Sequence, residues 1–224
     1  GGANVTAHIG DEGVVLVDAG TQGRAAALLA ALRDLTPKPL RYLVNTNPDA
    51  DHVGGNSAIV KAAGGLFGPQ PGGGGGNNNA LPQNVGIRTI AHENASHRMT
   101  AGSVELPALT GNAVPDSTFF TPRKDIFANG QGIALLWQPA AHTDGDVIVW
   151  FRGSDVVSVG DVYLTDSYPR IDAARGGSIQ GVLDALNNII EITIPERNQM
   201  GGTLIIPGHG HIANEADVVE YRDM

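Results

Sequence analysis

Polar side chains able to hold a cation crowd the segment Asn47-Pro48-Asp49-Ala50-Asp51-His52. An amide, two carboxylates and an imidazole stand at positions 47, 49, 51 and 52, and carboxylate and imidazole are the donors that divalent metals commonly take from proteins. Read as an extended loop, the segment turns residues 47, 49 and 51 to one side, so a single ion would meet several of them. Asn, Pro, Asp and Gly are also ordinary turn residues, and alone the segment says little. Three further placements change that. His142 lies in Ala141-His142-Thr143-Asp144-Gly145-Asp146, Asp161 in Val159-Gly160-Asp161, and His209 in Pro207-Gly208-His209-Gly210. Each falls beside a short apolar run, so four strand ends bring His or Asp to one rim. Four concordant placements point to a metal site in a way that one histidine does not. The chain has no cysteine, so the ligands must be His, Asp, Glu or Asn, and a thiol nucleophile is excluded.

The elements that position these groups are legible from apolar spacing and turn signals. Residues 4–9 and 13–18 alternate as a hairpin around Gly10-Asp11-Glu12-Gly13. Residues 22–35 place Ala25, Leu28, Leu29, Leu32 and Leu35 on one helical face, and Thr36-Pro37-Lys38-Pro39 ends them. A buried strand over 41–46 and a helix over 56–63 follow, the latter stopped by Gly64-Gly65. Residues 132–138, 147–151 and 155–159 read as strands. Ser178 caps a helix reaching about residue 191, with an apolar stripe that includes Val182, Leu186 and Ile189. A strand over 203–207 delivers His209. His92 follows a strand and opens a helix, which suits a capping and packing role. Residues 68–86, rich in Gly, Asn and Pro, offer no apolar face and are expected to form a flexible loop. The rest reads as a single domain over residues 1–224. It begins without Met and closes on a helix cut short, so both ends are expected to be truncated.

The 224 residues are 42% hydrophobic, enough for an ordinary globular core. No run approaches the ~20 apolar residues that cross a bilayer. A formal net charge of −9 disfavours nucleic acid and anionic membranes as partners and is compatible with a small-molecule substrate. Oligomeric state and compartment, cytoplasmic or exported, stay open.

The constellation resembles the metallo-β-lactamase superfamily, whose pattern is His-x-His-x-Asp-His, then His-Thr-x-Gly-Asp, then Gly-Asp, then Gly-His-Gly. Asp51, His52, His142, Asp161 and His209 match in order and context, and Val17-Asp18-Ala19-Gly20 matches the family's opening turn. The resemblance runs from Asn4 to the end of the chain. It implies an α+β fold, a four-layer αββα sandwich of two mixed sheets flanked by helices, with the site at one edge. It also implies a hydrolase that uses a metal-bound hydroxide on an ester, lactone, thioester or β-lactam bond. By the resemblance, Asp51, His52 and His209 form one metal site, Asp161 bridges, and Asp51 orients the nucleophile or accepts its proton.

Asn47 and Asp49 stand where the family has its first two His. The other site becomes Asn47, Asp49, His142 and the shared Asp161. Zinc, as one or two ions, is the expected cofactor. The harder oxygen donors admit manganese or iron at the Asn47, Asp49 and His142 site. A dinuclear centre is expected first, a mononuclear one at Asp51, His52 and His209 second. Tyr163, Tyr168 and Arg170, just past Asp161, are expected to line the substrate pocket. The alternatives are a mononuclear iron dioxygenase of the same fold, which Asn47 disfavours by removing one iron ligand, and a non-catalytic binding protein that keeps the fold.

Overall fold

Two β-sheets lie face to face, each strand set drawn from one half of the chain. The structure is a computed structural model and describes residues 2–65, 86–195 and 198–224. The first half runs β1 (Thr6–Gly10), β2 (Gly13–Val17), α1 (Ala25–Leu35), β3 (Leu40–Val44), the short α2 (Ala50–Val53), α3 (Asn56–Gly65), β4 (Arg88–His92), α4 (Glu93–Ala101) and β5 (Ser117–Phe119). The second runs β6 (Arg123–Ala128), β7 (Gln131–Gln138), β8 (Asp146–Phe151), β9 (Val156–Leu164), α5 (Ile179–Ile192), β10 (Leu204–His209) and α6 (Glu215–Asp223). One sheet has the order β1-β2-β3-β4-β5, the other β10-β9-β8-β7-β6. Both are mixed. The first pairs β1 antiparallel to β2 and is parallel from β2 to β5, while in the second only β9 and β10 are parallel.

Strand β2 explains the layering. All five of its residues are buried, because alternate side chains enter different cores. Val15 and Val17 face the space between the sheets with Ile90, Leu135, Val149 and Phe151. Val14 and Leu16 face outward, onto Leu29 and Leu32 of α1 and Ile59 of α3. On the far side, Ile148, Val157 and Val159 pack against Val182, Leu186 and Ile189 of α5, joined by Val218 of α6. Each such buried Val, Leu or Ile contributes about 1.5–3 kcal/mol of transfer free energy. The layer order is helix, sheet, sheet, helix, as the sequence resemblance implies.

Strands β5 and β6 were not anticipated, and β9 runs past residue 159 to Leu164. Its continuation turns on Gly160, whose φ of 53° lies in the left-handed region, at a register irregularity opposite Pro207. A Cβ there would also lie 2.6 Å from Thr46 Oγ1, so β9 approaches the end of β3 as only glycine permits. Asp161 follows directly. The flexible loop expected over residues 68–86 lies, but for Gly86, outside the described residues. No helix among those described is long and apolar enough to cross a membrane.

Candidate metal centre

The candidate ligands converge where the ends of β3, β9 and β10 meet the loop before β8. Asp49 is extended, with φ −74° and ψ 149°, and caps α2. The chain turns helical at Ala50, so the alternation expected for residues 47, 49 and 51 ends at Asp49. Asp51 and His52 instead project from a single helical turn. They arrive at the same cluster by a different geometry.

Asp51, His52 and His209 each offer one donor atom, all within 4.8 Å of one another. His209 Nε2 lies 3.0 Å from Asp51 Oδ2 and 3.5 Å from Asp161 Oδ1. His52 is fully buried, and its Nδ1 donates to Asp18 Oδ2 at 2.7 Å. With that proton committed, the neutral ring turns the Nε2 lone pair towards Asp161 Oδ1, 3.0 Å away. Lone pair facing carboxylate is stable only with a proton or cation between them. Burial alone would lower the His52 pKa, but the charges of Asp18 and Asp161 outweigh it and hold it well above the ordinary histidine value. Asp161 shows the converse. Burial would raise its carboxyl, but the charge of His52, then those of Arg170 and His142, keeps it below its ordinary value.

Asp18 is the support behind this cluster. Its carboxylate accepts from Thr46 N at 2.8 Å, Thr46 Oγ1 at 2.7 Å and His52 Nδ1, while its own φ is 65°. A left-handed non-glycine residue costs on the order of 1–3 kcal/mol and persists where its surroundings over-determine it. Three buried hydrogen bonds do so here.

The second cluster is Asp49, His142 and Asp161, again with donor atoms within 4.8 Å. His142 Nδ1 donates to the Arg170 carbonyl at 2.8 Å, so Nε2 faces Asp49 Oδ2 at 3.0 Å. Burial would lower the His142 pKa, but its hydrogen bond to Asp49 and the nearby Asp146 lift it to about 9. Two arginines also enter. Arg175 Nη1 lies 2.5 Å from Asp49 Oδ1 and Arg170 Nη2 lies 3.2 Å from Asp161 Oδ2. Arg175 is held from behind, where its Nε meets Asp172 Oδ2 at 2.7 Å. Its carbonyl accepts from Asp144 N.

Asn47 is buried beside Asp49, and its Oδ1 accepts from Asp49 N at 2.9 Å. The amide atom left without a hydrogen bond is Nδ2. Asp161 Oδ2 and His209 Nε2 are likewise buried and outside hydrogen-bond geometry. Buried polar atoms are rarely left so, and these gather at one place.

Tyr163 is only 3% exposed and packs edge-on against Tyr221. Tyr168 is exposed, and the two line a cavity of roughly 550 Å³ with His211 and Tyr221. Arg170 points elsewhere, to Asp161. His92 caps α4, accepting from Asn94 N at 3.3 Å, and stacks on Trp137 with ring centroids 4.3 Å apart. Sequence reasoning missed Arg175 and the supporting role of Asp18. Asp18 carried a signal, an acidic residue in the opening turn. Arg175 carried none, sitting in a three-residue 3-10 turn without periodicity.

The family model described as the metallo-beta-lactamase superfamily matches residues 1–65. Among solved structures, a metallo-beta-lactamase from Pontibacter korlensis is similar over 97% of this chain and 85% of its own, at 16% identity and a TM-score of 0.70. The B3 metallo-beta-lactamase BLEG-1 is similar over 98% and 92%, at 21% identity and a TM-score of 0.71. The stereoselective inverting sec-alkylsulfatase Pisa1 from Pseudomonas sp. is similar over 99% of this chain and 38% of its own, at 16% identity and a TM-score of 0.66. No curated protein matches the sequence. At these identities the likeness is one of fold.

Proposed function

We propose that this chain, which has the metallo-β-lactamase fold, is a metal-dependent hydrolase of small molecules carrying an ester, lactone, thioester or β-lactam bond. The observation that carries the reading is the convergence of Asp51, His52 and His209, with both imidazoles facing Asp161 Oδ1 and the His52 Nε2 lone pair turned inward by Asp18. Those residues fit a divalent ion. Two imidazoles and two carboxylate oxygens are a donor set that zinc accepts. A cation held there supplies Lewis acidity, polarising the scissile group and making water a competent nucleophile near neutral pH.

The remaining work falls to the chain. Asp51 is partly exposed and lies beside His209, where its carboxylate orients the attacking water and accepts its proton. Asp18 fixes the His52 tautomer. Arg170, 45% exposed at its side chain, holds Asp161 Oδ2 at the mouth of the site. The cavity lined by Tyr163, Tyr168 and His211 is formed by residues that follow Asp161 and His209 in the chain, and takes the non-reacting part of the substrate. The lactamases and the sulfatase of similar fold justify adding sulfate esters to the test panel. The dioxygenase alternative would rest on the Asp49 cluster, where both carboxylates face arginines, and nothing favours it.

The test is a panel of β-lactam, lactone, thioester, carboxylic ester and sulfate ester substrates, assayed after zinc loading and after chelation. At least one class should be turned over, lost with chelator and restored by zinc. Asp51→Ala should lower that turnover by about 100-fold or more. A protein that binds no zinc at all would overturn the reading.

A further inference from the structure

The guanidinium groups of Arg175 and Arg170, we infer, take the place of a second metal ion, so that this is a one-ion centre with a built-in cation pair. The inference deepens the hydrolase reading and rests on it for the ion at Asp51, His52 and His209.

The argument is one of charge and donors. A second ion would have to be held by Asp49, His142 and Asp161. Each of those carboxylates already faces a guanidinium, Asp49 through Oδ1 to Arg175 and Asp161 through Oδ2 to Arg170. Counting Asp172, which shares Arg175, three carboxylates are met by two guanidiniums, which leaves a divalent ion a much weakened net attraction and two like charges at close range. Asp161 is thereby divided. Its Oδ1 faces His52 and His209, while Oδ2 faces the arginine. The amide that would complete a second coordination shell is unsuited as well. Asn47 Oδ1 already accepts from Asp49 N, so only one lone pair of a neutral oxygen remains for a cation, and Nδ2 is a donor that cannot ligate one.

Arg175 is not a loose surface side chain that an arriving ion would push aside. Asp172 grips it through Nε. The turn that carries it is tied to the His142 loop by the hydrogen bonds from Asp172 N to the His142 carbonyl and from Asp144 N to the Arg175 carbonyl. A guanidinium is always charged and presents its donors in a fixed fork, so it supplies a permanent positive charge where an ion would come and go with supply.

Zinc titration of the metal-stripped full chain, read by native mass spectrometry and calorimetry, tests this without reference to activity. The wild type should bind one zinc. Arg175→Met and the double variant Arg170→Met/Arg175→Met should bind a second, with second-ion affinity raised by on the order of 10-fold or more, since removing one nearby like charge is worth at least that. Arg175→Lys, which keeps the charge, should stay at one, and this variant separates charge from packing. Adding Asp49→Asn to the double variant should abolish the second uptake. Two zinc ions in the wild type would overturn the inference while leaving the hydrolase reading intact. One ion in every variant would overturn it too, since the arginines would then not be what excludes the second. No zinc in the wild type would sink both.

Discussion

At the scale of single residues, the candidate centre is held in shape by side chains outside its candidate ligand set. Asp18 makes the clearest case, with three donors converging on its carboxylate and one of them the ring of His52. Asn tolerates the left-handed backbone that Asp18 adopts, so Asp18→Asn keeps the fold and alters the electrostatics. It leaves one acceptor oxygen to serve three donors and removes a charge that favours a cation on His52. Zinc affinity should fall about 10–100-fold, as measured against a chromophoric chelator, with little change in unfolding midpoint. Unchanged affinity would mean that the His52 ring is oriented by packing alone. Asp18 stood in the sequence as part of a turn, and its partner was invisible, because nothing in a linear chain pairs residue 18 with residue 52.

Strand ends set the geometry at the next scale. Gly208 packs against β9 so closely that a Cβ would collide with Asp161 Oδ1 and lie 2.7 Å from the Gly160 carbonyl carbon. Gly208→Ala must therefore move either β10 or the Asp161 carboxylate. Urea unfolding should show a loss of about 1–3 kcal/mol, the usual result of overpacking. Zinc titration should show a weaker site, and wild-type behaviour in both would reveal slack between the strand ends. This part of the site was readable in advance. Val157-Ser158-Val159-Gly160-Asp161 and Ile205-Ile206-Pro207-Gly208-His209 each lead from apolar β-branched residues through glycine to a candidate ligand, and such runs mark buried strand ends. The α2 turn was not readable, since four residues are too few to show a helical period. The 3-10 turn that carries Arg175 was hidden for the same reason, and with it the cation pair.

For the molecule as a whole, metal and pH act on the same buried groups. Against the lowering effect of burial, Asp49 and Asp146 lift His142 from 6.5 to about 9, and Asp18 and Asp161 also raise His52. A histidine whose folded pKa is raised contributes stability that is fully present below its unfolded pKa and is lost as pH rises through the folded value. Asp146, lifted by burial to about 7, acts in the same direction, because its folded state favours the proton. The melting temperature of chelated protein should therefore fall as pH rises from about 6.5 to about 9. Zinc-loaded protein should show a smaller fall, since the ion replaces the proton on His52 but not the one on His142. Parallel melting curves with and without chelator across that range check this, and a flat chelated profile would show that the His142–Asp49 pair is not formed in solution.

The cluster also sets a timetable for how the molecule is completed. His52 and Asp161 touch across 109 positions of sequence, and His209 comes later still. A chain growing from its N-terminus exposes Asp51 and His52 long before their partners exist, and two such groups alone hold an ion poorly. An ion held by these residues would therefore be captured after the two sheets meet rather than seed their meeting. Scarcity of metal would accumulate assembled but unloaded molecules, with Arg170 and Arg175 already in position, rather than chains stalled partway to the native state.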